Sequence, residues 1–228
     1  MKPKSIFLFL ALFANSVVYS QSNETRRLGD FNRVSVGESI ELVLISGSEN
    51  SARIETSGID VSDVETDISG GKLVIGLDNG NKWWKNSNVK VWLTYQELEG
   101  ISVSSSASVT NEGVIKTDRL VCRASSSGSA NLTVDVQSLD SEVSSSGRLT
   151  ISGESIEQEI SVSSSGTYSS YDLSSEKCEA KASSSGNARI SVSQELRASA
   201  SSSGSIRYKG DPEKLITNSS SSGSVRKG

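Results

Sequence analysis

The sequence predicts an all-β fold, a right-handed parallel β-helix in the form of a single-stranded β-solenoid, with about seven coils of 18–21 residues preceded by an irregular β segment. Three observations predict it: a Ser-Ser-Ser-Gly/Ala tract that returns seven times, apolar residues that hold one parity on both sides of most tracts, and the lack of any amphipathic helical period. The tracts begin at Ser104, Ser125, Ser144, Ser163, Ser183, Ser201 and Ser220, so successive intervals are 21, 19, 19, 20, 18 and 19 residues. The fourth residue is Ala107 in the first tract and then Gly128, Gly147, Gly166, Gly186, Gly204 and Gly223. A general bias toward serine would not keep that register. Aromatic residues make up only 5% of the chain, which alone would suggest disorder, and the periodicity overrules it.

Residues 1–20 read as a signal peptide. Lys2 and Lys4 precede an apolar run from Ile6 to Ala14, too short to span a bilayer as a helix, and small residues place cleavage between Ser20 and Gln21. No cysteine follows the run, which closes the route through a lipid-modified N-terminal cysteine, and no later segment is hydrophobic enough to cross a membrane. The mature chain is expected to be exported, to the periplasm, the outer surface or the medium, without an integral membrane segment. Residues 21–27 are expected to be disordered. Residues 28–98 lack the tracts but keep strand alternation in Val34-x-Val36, Ile40-x-Leu42-x-Leu44, Leu73-x-Ile75 and Val89-x-Val91-x-Leu93, and read as a β segment that starts the solenoid and caps it.

Residues 99–228 are the repeat itself. Apolar side chains stand three and one residues before the first serine of a tract, as in Ile101/Val103, Cys122/Ala124, Ile160/Val162, Ala180/Ala182 and Ala198/Ala200. The same parity returns five residues after it, at Val109, Ala130, Leu149, Tyr168, Ala188, Ile206 and Val225. Carried through the tract as continuous strand alternation, it turns the middle serines, Ser105, Ser126, Ser145, Ser164, Ser184, Ser202 and Ser221, inward as a structural ladder, together with the closing Gly or Ala. Parallel rungs about 4.8 Å apart would make seven coils a rod roughly 34 Å long. Cys122 and Cys178 then lie three coils apart, about 14 Å along the rod, beyond the reach of a disulfide, and are expected as separate thiols.

Asp30-Phe31-Asn32-Arg33-Val34 and Gly70-Gly71-Lys72-Leu73-Val74-Ile75, followed by the Ser/Gly ladder, resemble the putative auto-transporter adhesin head GIN domain family over roughly residues 28–228. The resemblance implies a β-helix-like fold and export in Bacteroidetes-type bacteria, and it brings no catalytic residues with it. No membrane-barrel pattern follows the repeats, so self-secretion is not expected.

The chain contains no histidine, which removes Ser-His-Asp and Cys-His catalysis and the commonest zinc designs. Neither a cofactor nor a metal-ligand set is read from it. Loss of Lys2 and Lys4 with the leader takes 23 basic residues to 21 against 27 acidic, a formal charge of −6, so nucleic acid is not an expected partner. One acidic column, Asp140, Glu159 and Glu179, stands four residues before consecutive tracts. It reads either as a solvated face eased by Lys181 and Arg123 or as the carboxylates of a carbohydrate-active enzyme. A basic column, Arg189, Arg207 and Arg226, stands six residues after consecutive tracts and could touch an anionic glycan. Trp83 and Trp84, flanked by Lys82 and Lys85 in a polar turn, are a candidate ligand contact or a cap over the first coil, since adjacent strand residues face opposite ways. A hydroxyl ladder resembling ice-binding solenoids is a remote alternative, because serine lacks the methyl such arrays exploit. The leading expectation is a non-enzymatic envelope or surface protein that binds a protein or glycan or self-associates through its coil ends.

Overall fold

The computed structural model describes residues 21–78 and 87–228. The N-terminal strands are β1 (Gln21–Arg27), β2 (Arg33–Val36), β3 (Glu41–Ser46), β4 (Ser51–Ser57), β5 (Val64–Ser69), β6 (Lys72–Leu77) and β7 (Asn88–Tyr95). The repeat supplies β8 (Gly100–Val103), β9 (Ser108–Glu112), β10 (Ile115–Ala124), β11 (Ser129–Val143), β12 (Arg148–Val162), β13 (Thr167–Ala182), β14 (Asn187–Ser191), β15 (Glu195–Ala200), β16 (Ser205–Lys209), β17 (Lys214–Ser219) and β18 (Ser224–Lys227). One 3-10 turn, Val61–Asp63, is the sole helical element among the described residues. Coils stack in parallel and in register: Cys122 pairs with Ser141, Ser141 with Ile160, and Ile160 with Ala180. The fold is thus the predicted β-solenoid, and Cys122 and Cys178 are separate, buried thiols.

Each tract is a tight corner. Its second and third serines sit in the left-handed region, φ 46 and 63 at Ser126 and Ser127, and the N–H of Gly128 closes the turn on the carbonyl of Ser125 at 2.7 Å. L-residues enter that region at a cost of about 1–2 kcal/mol each. Stacking offsets the cost, because the third serine's N–H donates to the second serine's carbonyl in the next coil, Ser106 to Ser126, Ser127 to Ser145 and so on to Ser203 and Ser221, each at 3.1 Å.

This geometry corrects one expectation. Ser105, Ser126, Ser145, Ser164, Ser184, Ser202 and Ser221 are all exposed, and so are the third serines, while the first serines from Ser104 to Ser201 are half-buried. Strand alternation does not run through the tract. Two successive left-handed residues turn both side chains outward, yet the corner spans an even number of positions, so the inward parity of the flanking strands survives it. The seven serines do form a structural ladder, made by their carbonyls rather than by buried hydroxyls.

The closing glycine is inward, as the parity requires, and its φ is negative. Close approach is what demands it: a Cβ on Gly147 would lie 2.4 Å from the carbonyl oxygen of Ala124, and one on Gly204 2.4 Å from that of Ala182. Ala107 closes the first tract with a fully buried methyl.

The rung beneath that tract is a finding beyond the tract pattern. Gly37-Glu38-Ser39-Ile40 forms the same corner, with φ 59 and 61 at Glu38 and Ser39, and the Ser39 N–H donates to the Ser105 carbonyl at 2.9 Å. β2 and β3 flank it, pairing with β8 and β9 on one side and with β6 and β7 on the other. β4 and β5 then run antiparallel to β7 and β6 and close this end. Residues 21–27 are not disordered: β1 pairs antiparallel with β4 along its whole length. Arg26 anchors it, donating to the carbonyl of Val61 at 2.9 Å and to that of Val64. At the other end, β17 is exposed throughout, with Leu215 at 46% and Ile216 at 41%.

Replacing Gly147 by Ala should force neighbouring coils apart and lower stability by more than about 2 kcal/mol in urea unfolding, whereas Ala107→Gly should cost only about 1 kcal/mol. Equal midpoints for the two variants would show that close approach is not what selects glycine at the corner.

Candidate functional site

Two flat outward faces flank the corner. On the face before it, Asp140, Glu159 and Glu179 are direct neighbours on consecutive rungs, followed by Arg197. The column lines a shallow open groove with Arg119, Glu157, Lys177 and Glu195. Two of its three acids are answered locally, and Glu159 between them makes no ion pair or side-chain hydrogen bond among the described residues. Arg119 donates to the Asp140 carboxylate through Nε at 3.0 Å and again through a terminal nitrogen, and Lys181 pairs with Glu179 at 2.7 Å. Both cations are held above their usual range by those hydrogen bonds first and by the same carboxylates' charge second. Glu195 takes Lys214 and Arg197, each at 2.9 Å, and the Lys214 contact first of all holds its carboxyl below the usual range. Of the two cations expected to ease the column, Lys181 does so. Arg123 turns instead to Glu142 at 3.2 Å, and Arg119 does its work. Among the described residues, no group of three Asp, Glu, Cys or His side chains is arranged to hold a metal.

The face after the corner carries Arg189, Arg207 and Arg226, also neighbours on consecutive rungs and all exposed. None of the three makes an ion pair or side-chain hydrogen bond among the described residues. Lys82, Trp83, Trp84 and Lys85 lie outside the described residues, as does Ser20; Gln21 is placed by its backbone as the first residue of β1.

Inside the rod, sequence reading missed a buried polar cluster. Gln158 accepts from the hydroxyls of Tyr168 at 3.2 Å and Ser170 at 3.1 Å, and it donates to Ser175 at 2.6 Å, which donates to the Ser191 carbonyl at 2.6 Å. A signal was present. Five residues before the tract, other coils place Leu120, Leu139, Cys178 and Leu196, and Gln158 is the polar exception at an inward position. Burial pushes the Tyr168 hydroxyl up, the Cys122 thiol up to about 12, and the Cys178 thiol up as well. No buried thiolate is therefore offered as a nucleophile near neutral pH.

Stacked corners and charge-bearing outward strands make this a parallel β-solenoid. The chain belongs to the family described as "Putative auto-transporter adhesin, head GIN domain", whose profile matches residues 30–212. A solved "putative adhesin" from Bacteroides fragilis superposes with a TM-score of 0.81 at 19% identity, covering 91% of this chain and 97% of that one. One from Parabacteroides merdae gives 0.74 at 20%, covering 91% and 96%. A "putative lipid binding protein" from Parabacteroides distasonis gives 0.71 at 21%, covering 91% and 96%. These likenesses are of fold. No curated protein matches the sequence.

Gln158→Leu restores the residue type of the neighbouring coils but strips Tyr168 and Ser170 of their acceptor, so it should destabilise the chain by about 1–3 kcal/mol in urea unfolding. A stability gain would mean volume, not hydrogen bonding, governs that site. The two thiols stay protonated in the folded chain where unfolded ones ionise. Their contribution is complete below about pH 9 and is lost as pH rises from 9 toward 12. The urea midpoint should fall between pH 8.5 and 10.5 in wild type, and less in Cys122→Ala/Cys178→Ala. Identical slopes would remove the thiols from the account.

Proposed function

We propose that this chain is a non-enzymatic, exported, adhesin-like protein of the cell envelope or surface, which offers the flat faces of its rod to a protein or glycan partner. The observation that carries the reading is the state of the acidic column. A glycoside-cleaving pair needs one carboxyl free to ionise and one held protonated across a substrate cleft. Here Asp140 and Glu179 are tied to Arg119 and Lys181, on an open face whose coils are joined by four-residue corners rather than loops. Membership of a family described by adhesion, and fold neighbours that bear the adhesin name, support the same reading. No helix among the described residues is long and apolar enough to cross a membrane.

Self-association through a coil end is a component of this proposal, supported by the exposed edge of β17 and by Leu215 and Ile216 upon it. The Trp83–Trp84 contact remains part of it on sequence grounds alone. The ice-binding alternative loses support, because the outward serines lie along a narrow corner and not across a face.

The test pairs an activity screen with a binding screen. Wild type should release no reducing ends from a polysaccharide panel, and it should retain partners on a glycan and surface-protein array. An activity that disappears in Asp140→Asn/Glu159→Gln/Glu179→Gln would overturn the non-enzymatic reading. An array profile unchanged in Trp83→Ala/Trp84→Ala would remove the tryptophans from it.

A further inference from the structure

The two faces flanking the corner handle charge in opposite ways. Before the corner, cations stand beside acids on the same or the next rung, and Arg119, Lys181, Arg197 and Lys214 each bond a carboxylate. After it, from the Ser144 tract onward, the positions four, six and eight residues beyond the first serine hold Arg148, Arg189, Arg207, Lys209 and Arg226 among serine, threonine, asparagine, glycine and tyrosine, with no aspartate or glutamate. The four arginines have no ion pair or side-chain hydrogen bond among the described residues, and Arg148, Arg189, Arg207 and Arg226 are all exposed. Lys209 meets Asp172 only at 3.8 Å and lies 5.2 Å from the centroid of the Tyr171 ring.

Such a face is costly by itself. Like charges directly opposite on paired strands are destabilising, and Arg189, Arg207 and Arg226 are aligned across three rungs about 4.8 Å apart. The chain as a whole is acidic, at −4, so cations here are not the overflow of a basic composition. The rod shows on its other face how charge is paired, and on this face the arginines have no such partner among the described residues.

We propose that this face is a binding track for a linear, carboxylate-bearing polysaccharide lying along the rod axis. The inference names the ligand class of the adhesin-like reading and rests on it. Guanidinium groups take carboxylates through paired, parallel hydrogen bonds, and a line of them one residue wide matches a polymer with acids at regular intervals. The same column continues through Ser169, Thr150 and Asn131, uncharged groups that can bond sugar hydroxyls. Tyr171 stands at the track's side, its hydroxyl bordering Gly228 and its ring beside Lys209. The large exposed apolar side chains, Val74, Val114, Ile156, Leu215 and Ile216, all lie off this face. That favours a hydrophilic polymer over a bilayer or an apolar protein partner.

Polygalacturonate is the probe, titrated against the full mature chain at low and at 150 mM salt, with neutral dextran, dextran sulfate, duplex DNA and anionic vesicles as comparators. Wild type should bind polygalacturonate with an affinity that falls with salt, and should ignore dextran. Arg189→Ser/Arg207→Ser/Arg226→Ser should lose at least about tenfold, while Arg119→Ser/Arg123→Ser/Arg197→Ser, which removes equal charge from the other face, should stay within about twofold. Should the first triple variant melt early, Arg207→Glu alone should give a loss of the same sign. Equal losses in the two triples, or no polygalacturonate binding by wild type, would overturn the inference. So would tighter binding of dextran sulfate, DNA or vesicles. The adhesin-like reading would still stand or fall on the array partners, which include proteins and neutral glycans.

Discussion

The constraint on which the structure depends is the distance between one coil's corner and the next. Backbone hydrogen bonds from corner to corner hold the tracts at one strand spacing, and from the second tract on that spacing leaves no room for a Cβ where the closing residue passes over the carbonyl beneath. Glycine follows from this, and so does the strain in the serines. Two consecutive left-handed residues must reverse the chain in four positions, and serine is a small residue that can tolerate the geometry while leaving its hydroxyl in water. Short corners make flat faces, and flat faces leave every outward side chain with a neighbour directly above and below.

Given that register, charge becomes a matter of columns. An acid on one rung is placed within reach of the residues on adjacent rungs, and on the face before the corner this yields Arg119 with Asp140 and Lys214 with Glu195. These exposed pairs are individually weak. Their importance is that they leave the carboxylates of Asp140, Glu179 and Glu195 occupied, which is why the column resembles an active site in sequence and not in structure.

Much of the architecture was legible because a repeat states its own register. Ile101, Val103 and Val109 predict the inward face of one coil, and the same apolar offsets hold in full for four more. The corner's interior was not legible, since alternation cannot signal two left-handed residues, and Ser126 was read inward when it faces solvent. The turn at 37–40 was hidden by its composition, although Val34, Val36 and Leu42 stand at the very offsets the tracts define. At the charged faces the columns could be read by counting, but the pairing within them could not. Whether Arg123 turns to Glu142 or to Asp140 depends on rotamers that spacing leaves open. Gln158 was discoverable as a polar residue at an inward offset; its partners Ser175 and Ser191 come from other coils and needed coordinates.

The order in which the rungs are laid down differs from their order in space. β2 and β3 are the first solenoid strands along the chain, yet they end between β6–β7 on one side and β8–β9 on the other. Their edges are satisfied only when residues as far along as Glu112 have arrived. A polypeptide emerging amino end first therefore cannot zip up rung by rung from its leading end. Its earliest strands wait, unpaired and open to wrong partners, until a loop of some seventy residues closes around them. Beyond that point each new coil needs only the one just finished, so a slow, long-range closure gives way to a rapid and local one.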